Sequence, residues 1–190
     1  MTDRSSGPAR LVTNVLNPFI IFTALYALVA FTGANLVDAV LYVALELLAA
    51  AVVAGYVFLM RRRKRVRDFW ISARAERLIP ALVLLTTFVA LLVALAFLGA
   101  PRDLFLLTLS MGLASAAVAA VTLFWKVSAH CAVAGHAAAA GLLLLGPLGL
   151  LFLFALPPII WSRITLTAHT PSQTLAGTAM GAAFAFVLLT

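Results

Sequence analysis

Of 190 residues only one is cysteine and only six are acidic, and each scarcity closes off a class of chemistry. With Cys131 alone there is no intramolecular disulfide and no cysteine-based metal cluster. Placed directly after His130, it reads as a small helix-filling residue. The six acids are scattered and none follows Asp103, which disfavours enzymes that hold Mg²⁺ on clustered aspartates to process lipid diphosphates. Charged residues of both signs make up 10% of the chain, and no glycine-rich phosphate loop, solenoid repeat or disordered tail is evident. Hydrocarbon fills the space instead. Hydrophobic residues are 65% of the total and the mean hydropathy is +1.15, against roughly 45–50% apolar residues in soluble domains.

Seven apolar stretches stand out, near 15–33, 37–60, 79–99, 103–125, 131–145, 148–161 and 171–190. Four reach the ~20 residues that cross a ~30 Å hydrocarbon core, the last is borderline, and the fifth and sixth are short. Lipid offers no water to stray backbone groups, and none of these runs alternates as barrel strands do, so helices are expected. The predicted fold class is all-α, a polytopic membrane helix bundle of six to seven transmembrane helices in a single integral-membrane domain, 1–190. Residues 1–60 supply two N-terminal helices, 61–79 a basic polar loop and 80–190 the helical core. The first stretch follows Arg4 and Arg10, as in a signal peptide, but its roughly 20 residues exceed the usual 7–15 and predict a retained helix.

Basic residues outnumber acidic ones 13 to 6, giving a formal net charge of +7. Arg61, Arg62, Arg63, Lys64, Arg65 and Arg67 crowd the one long polar loop. If the helices alternate, this loop, the N-terminus and the junctions at 126–130 and 162–170 share one face, and with them twelve of the thirteen basic residues, all but Arg102. The positive-inside rule makes that face cytoplasmic, in a protein of the cell membrane. The loop reads as a topogenic signal touching anionic lipid headgroups, with direct recruitment of an anionic substrate as the alternative; no nucleic-acid partner is expected. Trp70, Trp125 and Trp161 fall on the same face, as interfacial anchors do. The opposite face has only short connections, at 32–35, 99–103 and 146–149, with no room for a site. Oligomeric state is not encoded in any pattern found.

Nearly all the polar chemistry of the second half lies in two clusters, Lys126-Val127-Ser128-Ala129-His130 and Ser162-Arg163 through His169. Ionisable groups at the ends of apolar segments mark a functional site. Between the clusters the chain must cross and return in two helices of about 16 residues, ~24 Å each. Either that hairpin turns inside the bundle or the polar residues are recessed, and a recess suits a substrate whose headgroup reaches in from the bilayer. Pro171 suits an early helical position, where the N–H it lacks would be unpaired anyway. That puts His169 at a helix N-terminus, where N–H groups and the dipole favour an anion. Arg163, Lys126, Ser128 and Arg77 can then surround a phosphoryl group and stabilise charge that grows as phosphorus is attacked. Neither a metal nor a cofactor is required. His136, among alanines, reads as a buried, hydrogen-bonded structural residue. Glu46 and Asp38 read as polar contacts between helices, an ion path being the alternative. The small residues of 137–141 and 177–183 predict close helix packing.

These residues resemble the signature of the type-2 phosphatidic acid phosphatase superfamily of lipid phosphate phosphatases. That signature has a basic stretch ending in Arg-Pro, then Pro-Ser-Gly-His, then Ser-Arg, five residues, His, three residues, Asp. Val127-Ser128-Ala129-His130 keeps two residues of the second part. Ser162-Arg163 to His169 matches the third at its spacing, with Gln173 where the family has Asp. The first part is poorest: Arg74, Glu76, Arg77 and Pro80 lie in place but no Arg-Pro pair exists. The resemblance covers about 64–185 and leaves out the first two helices. It implies a phosphatase-like core with no cofactor, in which His169 attacks a lipid phosphate to form a phosphohistidine while His130 protonates the leaving oxygen, and water then completes hydrolysis. Arg163 would clamp two phosphate oxygens, with Lys126, Ser128 and Ser162 around them. Arg74 and Arg77 compete for the remaining basic role, Pro80 favouring Arg77. Gln173, four residues from His169 on one helix face, can orient the ring without supplying charge, and Glu76 is the best-placed carboxylate.

Two functions of different class follow. The first is an integral-membrane phosphatase acting on a membrane lipid substrate, an isoprenoid phosphate or diphosphate being favoured because a narrow apolar bundle suits one long chain. The second is a catalytically weak or inactive lipid-phosphate-binding scaffold, for which Gln173 and the degraded first motif argue. A transporter using Glu46 is weaker still, since no paired broken helices accompany it.

Overall fold

The computed structural model describes residues 6–66, 71, 73 and 76–190. Arg4, Arg67, Trp70 and Arg74 lie outside them. Among the described residues eight α-helices follow one another: α1 (Ser6–Val15), α2 (Pro18–Gly33), α3 (Leu36–Arg62), α4 (Leu78–Phe97), α5 (Arg102–Thr122), α6 (Ala129–Leu145), α7 (Leu150–Thr165) and α8 (Pro171–Leu189), with a 3₁₀ turn at Gly146–Gly149. Six segments of the described residues are long and apolar enough to cross a membrane. The bundle is the expected all-α polytopic arrangement. Its outer surface carries many exposed Leu, Val and Phe side chains, Phe97 and Phe124 among them, a covering that suits lipid rather than water.

The breaks between helices have local causes. The Asn17 side chain accepts from the Ile20 amide and Pro18 follows at the first helical position, so α1 and α2 form one span with an interruption. Asn35 caps α3 in the same way, accepting from the Asp38 amide. The span 129–165 folds as a hairpin. Gly146 turns the chain with φ +57, a left-handed conformation that glycine adopts without strain, and near the turn Gly141 packs on Gly149 and Phe152. The open end of the hairpin returns Arg163 to the neighbourhood of His130.

α6 and α8 make the most extensive helix contact in the protein. They run parallel, since Gly177 packs on Ser128 and Gly181 on Ala132, each pair about one turn further from the helix starts. Gly135 meets Thr178 in the same seam. Small residues let the two backbones touch where lipid gives no hydrophobic drive for association. The expected close packing at 177–183 is present, and Gly135, just before the 137–141 run, joins it.

Alternation of the helices gathers the start of α4 and the 123–128 and 166–170 junctions at one end, where Arg77 meets Val127. At the other end Gly33 packs on Pro101, close to Leu144. Trp125 and Trp161 are exposed near the first end.

Gly181→Leu forces α8 away from the Ala132 carbonyl and lowers stability by about 3 kcal/mol, near the upper range for overpacking, or about 6–12 °C in thermal midpoint. Gly55→Ala, where the added carbon meets nothing within 4 Å, leaves it unchanged or raises it by about 0.5–1 kcal/mol. Thermal unfolding in one detergent compares the two, and equal midpoints would contradict the seam.

Candidate active site

A cavity of about 480 Å³ lies among α2, α3, α4, α5 and the start of α6. His130, His169, Arg163 and Arg77 line one end. Two helix N-termini point there: His130 is in the first turn of α6, and His169 immediately precedes Thr170, the cap of α8. Because α6 and α8 are parallel, the positive ends of both dipoles lie side by side. An anion is the ligand such an end favours.

The five-residue gap between Arg163 and His169 is the length of a helix ending. The Thr167 amide donates to the Ile164 carbonyl at 2.9 Å and the Ala168 amide to the Arg163 carbonyl at 3.1 Å, with Thr167 in the left-handed region at φ +51. These are the two bonds of a Schellman ending. The His169 amide also donates to the Arg163 carbonyl, at 3.3 Å. Glycine usually fills the left-handed position, so β-branched Thr167 is strained there. The arginine and the histidine are thereby tied to one backbone oxygen.

Gln173 sets the state of the His169 ring. Its Oε1 accepts from the Thr170 amide at 3.2 Å, closing a capping box with the Thr170 hydroxyl. A backbone amide can only donate, so the side-chain atom facing it is oxygen. The same oxygen lies 3.2 Å from His169 Nδ1, which therefore carries the proton and leaves the lone pair on Nε2. Burial first, and then the positive charges of Arg163, Arg77 and Lys126, push the imidazole down to about 4, against a small upward pull from Gln173. Neutral at physiological pH with a lone pair on Nε2, His169 is in the form a nucleophile needs.

Arg163 is buried, and its Nη1 donates to the Thr13 hydroxyl at 3.4 Å. Thr13 in turn donates to Ser162 Oγ at 3.1 Å, and Ser162 donates to the Ile159 carbonyl at 2.8 Å. Arg77 donates from Nε to the Ile71 carbonyl at 2.9 Å and from Nη1 to the Val127 carbonyl at 3.2 Å, fastening the loop before α4 to the loop before α6.

The sequence-derived candidates therefore divide. His130, His169, Arg163 and Arg77 converge on the cavity, and Lys126 is close enough to act on His169 by its charge. Ser128 and Ser162 are fully buried and hydrogen bonded within the protein: Ser128 caps α6 by accepting from the Cys131 amide at 3.4 Å. Glu76 is half-buried in the turn before α4 and does not line the cavity. Arg74 lies outside the described residues. His136 is buried with Nε2 2.7 Å from Ser110 Oγ, and Glu46 is buried and accepts from Thr23 on α2, contacts of the kind expected. Among the described residues no three His, Cys, Asp or Glu gather as a metal site. Thr13 was not legible beforehand, because nothing in a lone threonine 150 positions from Arg163 announces that α1 lies against the end of α7.

Gln173→Glu keeps the capping box and places a carboxylate on Nδ1, so the His169 titration moves up from about 4. An unfolded histidine titrates near 6.5, so between pH 6.5 and 4 the unfolded chain binds a proton that folded His169 refuses. Acidification through that window therefore destabilises the native protein, and Gln173→Glu narrows the loss. Ring resonances followed by NMR against pH read the shift directly; an unchanged midpoint would contradict the pairing. Compared with family models, with curated proteins and with solved structures, the chain finds no match in any of the three.

Proposed function

We propose that the protein is an integral-membrane lipid phosphate phosphatase, similar to the type-2 phosphatidic acid phosphatase superfamily, that removes a terminal phosphate from a lipid, an isoprenoid phosphate or diphosphate being favoured. The observation that carries this reading is a neutral imidazole with its lone pair on Nε2, held among cationic groups at the mouth of an apolar cavity.

Nε2 of His169 attacks phosphorus; the N–P bond forms as the bond to the lipid oxygen breaks, and that oxygen takes a proton from His130. Water then attacks phosphorus and gives its proton to His130, the N–P bond breaks, and inorganic phosphate leaves. Arg163 and Arg77, with the N-termini of α6 and α8, stabilise the charge that accumulates on the phosphoryl oxygens in both steps. The buried Thr13 contact holds Arg163 in place, so its fork need not be ordered at the moment of reaction.

A second reading, a lipid-phosphate-binding scaffold with little turnover, rests on Gln173, which orients His169 as a carboxylate would but offers no charge to a phosphohistidine. Turnover separates the two. The phosphatase reading expects phosphate release from at least one of phosphatidic acid, a polyprenyl phosphate and a polyprenyl diphosphate, persisting in EDTA, lost in His169→Ala and reduced about 10²–10⁴-fold in His130→Ala. With the site face cytoplasmic, as the basic loop proposes, phosphate collects inside right-side-out vesicles. Release undiminished in His169→Ala sinks the assignment; binding without release moves it to the scaffold.

A further inference from the structure

We infer that the cavity receives one hydrocarbon chain of bounded length, and that a packed layer marked by Glu46 ends it. The inference rests on the phosphate-site reading for the head of the ligand and adds the tail.

Each wall is one face of one helix. On α3 the lining residues are Glu46, Ala49, Ala50, Val53 and Val57, and on α5 they run from Met111 through Ala114, Ser115 and Val118 to Thr122. These three- and four-residue steps are the helical repeat. Three walls have similar depths. Val57 to Glu46, Leu78 to Leu91 and Leu123 to Met111 are eleven to thirteen residues, about 16–20 Å at the helical rise, with the upper end taken by the polar groups. Half of a ~30 Å hydrocarbon core is about 15 Å, so the cavity is as deep as one leaflet. An extended chain advances about 1.2 Å per bond, and such a depth accommodates about a dozen carbons.

The floor is closed. One turn below Leu91 and Met111, Leu95 and Leu107 are fully buried in the core, together with Leu104 and Tyr26. On the α3 side the last lining group is Glu46, 4% exposed, whose carboxyl accepts from the Thr23 hydroxyl at 2.9 and 3.0 Å. A methylene pushed past it would cover a carboxyl that has one hydrogen-bond donor, at the cost of desolvating a polar group. Small side chains at Ala49, Ala50, Ala114 and Ser115 keep the shaft open above that level. At 480 Å³ the cavity suits one chain in preference to a diacyl pair.

The test is saturable binding of n-alkyl phosphates of six to sixteen carbons, below their aggregation concentrations, to His169→Asn protein held in amphipol, with amphipol alone subtracted. This variant does not turn the ligands over. Affinity rises about fourfold per methylene until about twelve carbons and no longer rises beyond. Ala114→Phe and, on the facing wall, Ala50→Phe bring the break down to about nine carbons, either variant sufficing if the other fails to fold. Glu46→Leu moves the break to longer chains. A break that none of the variants moves, a rise unbroken through sixteen carbons, or affinity independent of length overturns the inference. These outcomes are separate from phosphate release. A length-dependent break in a protein that releases no phosphate removes the phosphatase and leaves the chain cavity, whereas phosphate release without a break does the reverse.

Discussion

Everything at the site depends on how closely α8 lies along α6. Gly177 rests on Ser128, Gly181 on Ala132 and Gly135 on Thr178, approaches that no side chain would permit. Because the helices are parallel, the same seam that joins them sets their N-termini together and places His130 and His169 beside one another at the cavity mouth. A wider separation would leave two ordinary helix starts facing solvent or headgroups. Packing of the smallest residues in the chain thus decides where the two histidines stand, and in lipid, where apolar burial gives little association energy, such contact is the available means.

Around that seam few charges gather. Arg163 comes from the end of α7, Arg77 from the turn before α4 and Lys126 from the loop before α6. Two helix dipoles add to them without introducing any side chain. Burial first, and then these positive charges, hold His169 neutral.

Much of this was legible beforehand. Seven apolar runs and the alternation of basic loops fix a helical membrane bundle, because lipid leaves the backbone few alternatives. Pro171 placed His169 at a helix start, and the four-residue step to Gln173 put the two side chains together, as the 3.2 Å contact bears out. Other features rest on long-range packing that no local pattern encodes. Ser128 and Ser162 looked like phosphate donors by position, yet their hydroxyls are turned to a helix cap and to the Thr13 and Ile159 network. Thr13 sits on a short helix before the first expected one, and only the fold brings it to Arg163. The strained left-handed Thr167 is equally silent in sequence, since glycine is the residue that ordinarily signals such an ending.

The proposed reaction stands on a bond between Nε2 of His169 and phosphorus. Rapid quench of the purified protein with a ³²P-labelled isoprenyl phosphate of about twelve main-chain carbons, followed by peptide mapping under alkaline conditions, reads that bond. The account predicts acid-labile, alkali-stable label on the peptide containing His169, formed no more slowly than phosphate is released and absent from His169→Ala. Phosphate released at full rate with no labelled protein, or label carried on another residue, would contradict it.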